Sequence, residues 1–86
     1  MGKNVTVIFT GDFSELDFLD SVAAMVMSRD CTVGKEYHAY LPDEGEYDVD
    51  GWPVTEEDEL WLKDDIGDDV VTKLSYGFKL KDEQGE

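Results

Sequence analysis

Cysteine, basic residues and long apolar runs are all scarce in this chain of 86 residues, and each scarcity excludes a class of protein. Cys31 is the only cysteine, so no disulfide can form within the chain. No apolar stretch approaches the ~18 residues of a membrane-spanning helix. The N-terminal segment also lacks the apolar run of about seven residues that a signal peptide requires. We therefore expect a cytoplasmic protein.

Basic side chains number seven against 22 acidic ones, which gives a net charge of −15. This charge disfavours direct binding to nucleic acid and to anionic membranes, and it favours basic protein surfaces or divalent cations. Hydrophobic residues make up 41% of the chain, which is too many for a disordered protein. We expect one folded domain over residues 1–86, with disorder at residues 1–3 and 81–86.

The acidic residues are concentrated in one segment. Residues 42–69 contain 13 carboxylates and one lysine, so 28 residues carry a charge of −12. Like charges repel one another when the chain folds, and a core elsewhere, a cationic partner or a bound metal must offset that cost. An alternative explanation is that the charge serves solubility alone.

Alternation of apolar and polar residues predicts several short strands. The first is expected over residues 4–10, with Val5, Val7 and Phe9 on one face. Further strands are expected over residues 36–41, 59–63, 69–74 and 78–80. Residues 64–68 have the glycine and aspartates of a hairpin turn. Residues 46–58 are expected to form a long acidic loop or a loose hairpin.

One helix is expected over residues 14–30, with Ser14 as its N-cap. Its apolar residues recur at steps of three and four, as in an amphipathic helix. They are Leu16, Leu19, Val22 or Ala23, and Val26, widened by Phe18 and Met25. A buried strand over residues 22–27 is the competing interpretation. The fold class is thus α+β: a small antiparallel sheet, curled or closed into a barrel, with the helix inserted after the first strand.

Two short motifs carry a resemblance to a known family. Residues 32–37 read Thr-Val-Gly-Lys-Glu-Tyr, and residues 64–68 read Asp-Asp-Ile-Gly-Asp between two predicted strands. Over residues 31–80 the chain resembles the small SH3-like barrel domains of phage and bacterial genomes, in which a T-x-G-K-x-Y element precedes a D-D-x-G-D hairpin. The resemblance implies an SH3-like barrel. Segments 14–30 and 46–58 are longer than that pattern, and additions to a scaffold often carry function.

In charge and size alone, the chain also resembles acidic phage inhibitor proteins, some of which imitate DNA. That resemblance implies binding to a basic, nucleic-acid-binding surface of a host protein, and location in the host cytoplasm. Trp52 would supply apolar contact amid the carboxylates, unless it folds back onto the barrel. The expected partner-binding residues are Asp43, Glu44, Glu46, Asp48, Asp50, Trp52, Glu56, Glu57, Asp58, Glu59, Asp64, Asp65, Asp68 and Asp69.

Two other function classes are weaker expectations. Glu46, Asp48, Asp50 and Glu57 approach the spacing of an EF-hand calcium loop, but Pro53 and the non-helical flanks depart from it. A non-catalytic structural or assembly module is the other alternative, and a homo-oligomer fits it. We expect no cofactor and no enzymatic activity, because no nucleophile, base and oxyanion donor can be assembled from the sequence.

Overall fold

A computed structural model describes residues 2–81 of the chain. It contains one helix and five strands. In chain order these are β1 (Lys3–Phe9), α1 (Phe18–Met27), β2 (Glu36–Leu41), β3 (Glu59–Lys63), β4 (Asp69–Lys73) and β5 (Phe78–Leu80). Five of the six elements therefore lie within one residue of the bounds that the sequence pattern predicted.

The five strands form one antiparallel sheet in the order β4-β3-β2-β1-β5. The last strand returns to pair with the first, so the sheet curls into a half-barrel. This confirms the predicted α+β class, and the curled sheet is consistent with an SH3-like fold. The helix lies between the first and second strands in sequence, as expected.

The core occupies the inner face of the curled sheet. Val7 and Leu60 are fully buried, and strand alternation places aromatic side chains beside them. The core cluster consists of Val7, Phe9, Tyr37, Ala39, Leu60, Leu62, Val70 and Phe78. The rings of Phe9 and Phe78 lie 5.0 Å apart, which closes the core between neighbouring strands.

The helix is shorter than the predicted range of residues 14–30. Its N-cap is Asp17, whose carboxylate accepts a hydrogen bond from the Asp20 N–H at 2.8 Å. Ser14 instead lies in the preceding turn, where its N–H donates to Asp12. The prediction of Ser14 as N-cap was therefore wrong. Residues 22–27 are helical, which excludes the alternative strand.

The apolar stripe of the helix faces solvent. Ala24 and Ser28 are buried, and the Tyr76 hydroxyl donates a hydrogen bond to Asp20 from the barrel side. Small side chains let the helix approach the barrel closely, so the bulky residues are turned away. The exposed fractions are Phe18 79%, Leu19 76%, Val22 40%, Met25 53% and Val26 60%.

Both ends of the described chain are held by the sheet. Lys3 begins β1, and the Lys81 N–H donates to the Thr6 carbonyl at 2.9 Å. The expectation of disordered ends also concerned residue 1 and residues 82–86, which lie outside the described residues. No helix within residues 2–81 is long and apolar enough to span a membrane.

Candidate protein-binding surface

Residues 46–54 form a tight hairpin, which we name the acidic hairpin. Tyr47 and Pro53 pair in antiparallel fashion, and the Asp48 N–H donates to the Trp52 carbonyl at 3.0 Å. Inside the turn, one carboxylate oxygen of Asp48 accepts hydrogen bonds from the backbone N–H groups of Asp50 (2.9 Å) and Trp52 (3.0 Å). Gly51 has φ 84°, which glycine adopts without strain. The sequence predicted a long loop or a loose hairpin over residues 46–58, and the structure shows a shorter and tighter hairpin over residues 46–54.

The base of the hairpin is fixed to the barrel. The Val54 N–H donates to the Glu46 carbonyl at 2.8 Å, and the Val54 side chain is buried. The Glu46 carboxylate accepts the Tyr40 hydroxyl at 2.9 Å and the Asp43 N–H at 2.7 Å. The bond to Glu46 raises the pKa of the Tyr40 phenol, because it stabilises the protonated form. A strand residue therefore orients the hairpin through a side chain.

The acidic hairpin presents large apolar side chains to solvent. Tyr47 and Val49 are each 67% exposed, and Trp52 is 70% exposed. The indole of Trp52 therefore does not pin the loop onto the barrel. Tryptophan and tyrosine are enriched among the residues that contribute most to binding at interfaces, so an exposed aromatic side chain on an ordered, charged surface is a candidate interface anchor. The sequence predicted this role for Trp52, but it missed Tyr47 and Val49.

A cleft lined by carboxylates, which we name the acidic cleft, adjoins the base of the hairpin. Its volume is about 340 Å³, and its lining residues are Pro42, Asp43, Glu44, Thr55, Glu56 and Glu57. Glu56 reaches Lys73 at 3.7 Å. Glu44 and Glu57 make no ion pair or hydrogen bond with any side chain in residues 2–81. The cleft is therefore suited to receive the cationic head of a lysine or arginine from a partner.

The remaining predicted acids lie elsewhere, and several have structural roles. Glu59 is buried and accepts the indole N–H of Trp61 at 2.7 Å. The Asp58 carboxylate accepts the Ser75 N–H, and Asp69 pairs with Lys63 at 2.6 Å. Asp64, Asp65, Asp68 and Asp69 follow β3, whereas the acidic hairpin precedes it. Along the chain, the predicted acids thus fall into one group before β3 and one group after it.

Asp65 joins the two sequence motifs in one cluster. Its carboxylate accepts the Thr32 hydroxyl at 2.6 Å, the Lys35 ammonium at 2.6 Å and the Tyr37 hydroxyl at 2.9 Å. Hydrogen bonds from Lys35 and Thr32, followed by that from Tyr37, lower the pKa of Asp65 to about 2. The spacing of the two motifs thus has a structural consequence here: it joins the β3–β4 turn to the start of β2 and to the segment before it.

The outer face of the sheet carries a shallow groove of about 750 Å³. The rings of Tyr40 and Trp61 lie 5.5 Å apart on its floor, and Val49 of the acidic hairpin lines its side. His38, Lys63, Asp69 and Val71 also line the groove. Strand alternation in β2 places Tyr40 and His38 on this outer face. The contribution of Val49 to the side of the groove was not predicted from the sequence.

The spacing that resembles an EF-hand does not form a calcium loop here. The carboxylates of Glu46 and Asp48 are occupied by hydrogen bonds that close the hairpin. Within the part of the chain that the structure describes, no three histidine, cysteine, aspartate or glutamate side chains are arranged to hold a metal ion.

Comparison with models of protein families, with curated proteins and with solved structures finds no match to this chain.

Proposed function

We propose that the protein is a non-catalytic interaction protein that binds, and thereby blocks, a basic surface of another protein. The observation that carries the proposal is the acidic hairpin, which is ordered by Asp48 and Glu46 and exposes Trp52. An apolar anchor supplies most of the binding energy in typical interfaces, and surrounding charge supplies specificity and rapid association.

The charge surrounding the hairpin supports a basic partner. Three acids near it, Glu44, Asp50 and Glu57, have side chains without an ion pair in residues 2–81. Their charge is available to a partner at no cost to internal contacts. A surface that recognises such carboxylates also recognises phosphates, so nucleic-acid-binding proteins are the expected class of target.

The proposal is tested by affinity capture from a cell lysate at low salt, followed by binding measurements on the captured protein. We expect Trp52→Ala to weaken binding by about thirtyfold or more, the effect of losing an interface hot spot. The triple variant Glu44→Gln, Asp50→Asn, Glu57→Gln should weaken binding and reduce its dependence on salt.

A matched control keeps the charge and changes only side-chain length: Glu44→Asp, Asp50→Glu, Glu57→Asp. This variant should bind nearly as the unmodified protein does. The captured protein should also lose its affinity for nucleic acid when the complex forms. Equal capture by the neutralised and charge-preserving variants, or capture of no basic protein, would refute the proposal.

A second candidate function is a structural or assembly module. The outward apolar face of α1 favours it, because exposed apolar patches on small proteins commonly mark contact surfaces. Charge neutralisation near the acidic hairpin would leave such an activity unchanged, which separates the two candidates.

A further inference from the structure

The helix α1 exposes five apolar side chains on one side, which we name the helix stripe. They are Phe18, Leu19, Val22, Met25 and Val26, and they are between 40% and 79% exposed. At 100° per residue they fall within about one third of the helix circumference. Ala24, on the opposite side, is the buried contact to the barrel. No residue in the described range 2–81 covers the stripe.

The stripe is self-complementary about Val22. If two copies of α1 lie antiparallel with Val22 at the two-fold axis, Phe18 faces Val26 of the second copy. Leu19 likewise faces Met25 of the second copy. A bulky side chain therefore meets a smaller or more adaptable one at each position, and no polar residue interrupts the contact.

The charges at the two ends of the stripe are also complementary. Arg29, the only arginine of the sequence, lies two residues after the end of α1; its side chain is 76% exposed and pairs with Asp30 at 3.5 Å. Glu15 lies in the turn before α1 and is exposed. The same antiparallel arrangement brings each Arg29 to the end that carries Glu15 and Asp17 of the second copy. Antiparallel helix dipoles add to this attraction.

We propose that α1 is a homodimerisation surface, on which a second copy of the chain docks antiparallel, stripe against stripe. This interface is independent of the acidic hairpin. One helix face buries less than the ~800 Å² per partner of a standard interface, so the dimer is weak and in rapid exchange. Each copy carries a charge of −15, so added salt strengthens the dimer by screening that repulsion.

Sedimentation equilibrium from about 1 µM to about 1 mM protein tests the proposal. The average mass should rise from 9.7 kDa toward twice that value, and it should rise at lower protein concentration in 0.5 M salt than in 0.05 M salt. Val22→Asp should keep the chain monomeric throughout. Val33→Asp is the matched control, because Val33 is 66% exposed outside the helix, and it should leave the association unchanged.

Charge exchange then tests the antiparallel arrangement. Glu15→Lys and Arg29→Glu should each weaken association by about tenfold or more, because both ends of the dimer become like-charged. An equimolar mixture of the two variants should associate again, since every end contact in the mixed dimer joins opposite charges. A monomer at all concentrations, or no recovery in the mixture, would overturn the proposal. Neither result would bear on the acidic hairpin, whose binding is measured on the monomer.

Discussion

The outward direction of the apolar side chains of α1 makes a quantitative prediction about stability. Leu19 is 76% exposed, so folding removes only about a quarter of its side chain from water. Full burial of a leucine contributes about 1.5–3 kcal/mol, so Leu19→Ala should lose about 0.4–0.7 kcal/mol. Alanine is also the better helix former, which offsets a few tenths of that loss.

A substitution at Ala24 should destabilise the fold much more than Leu19→Ala does. Ala24 is fully buried where α1 meets the barrel, so Ala24→Leu forces three additional carbon atoms into a filled contact. Overpacking of this kind costs about 1–3 kcal/mol. In a domain of this size, 1 kcal/mol corresponds to a change in Tm of about 4–8 °C. Ala24→Leu should therefore lower Tm by at least about 4 °C, and Leu19→Ala should change it by less.

Urea unfolding of both variants, with the circular dichroism of the folded state as control, measures these differences. The protein concentration should be about 5 µM or lower, so that self-association does not contribute to apparent stability. A loss of about 2–5 kcal/mol in Leu19→Ala is the value typical of a buried leucine. That result, together with a neutral Ala24→Leu, would refute the orientation of the helix.

Two further predictions concern contacts that hold the barrel together. The pKa of Asp65 is lowered from 3.8 to about 2, so its charged form stabilises the fold above pH 3.8, and this contribution is lost as pH falls toward 2. The urea midpoint of the unmodified protein should therefore decline over that range more steeply than the midpoint of Asp65→Asn, and parallel declines would contradict the contacts to Lys35 and Thr32. Gly77→Ala should destabilise by about 1–3 kcal/mol, because Gly77 has φ 88° and its added Cβ would lie 2.6 Å from Phe13; an unchanged Tm would contradict this.

The strands could be predicted from sequence because their burial pattern has the same period as the pattern of residue types. In β2, Tyr37 and Ala39 alternate with exposed Glu36 and His38, and the observed bounds are those that the alternation predicted. The turn at residues 64–68 was equally clear, since glycine and aspartate fit its backbone directly. Local chemistry was sufficient for these elements.

The orientation of the helix could not be predicted from its periodicity. A stripe of apolar residues shows which side of a helix is apolar, but tertiary contacts decide which side meets the barrel. Here the side of the helix that faces the barrel is the one opposite the apolar stripe. Tyr76 holds it there by a hydrogen bond to Asp20, and the small side chain of Ala24 allows close packing. The partner in that hydrogen bond lies 56 residues away along the chain, beyond the reach of a local pattern.

The candidate site was predicted in composition but not in arrangement. The sequence showed the acids and Trp52, but contacts with residues distant along the chain hold several of these acids, as Ser75 does for Asp58 and Lys35 does for Asp65. Such contacts cannot be read from a local pattern. Glu59 is one example. It was predicted to bind a partner because it is acidic, but it is buried and accepts the indole N–H of Trp61. Asp48 is a second example, because it was predicted as a partner-binding residue but accepts the backbone N–H groups of Asp50 and Trp52 inside the turn.

The exposure of Trp52 on the acidic hairpin can be measured directly by fluorescence quenching in the variant Trp61→Phe, which leaves Trp52 as the only indole. Circular dichroism first confirms that the variant is folded. We predict a long-wavelength emission typical of a hydrated indole, and quenching by acrylamide close to that of free tryptophan, because the side chain is 70% exposed. A short-wavelength emission that acrylamide hardly quenches would show that Trp52 packs against the barrel, and it would contradict the proposed binding surface.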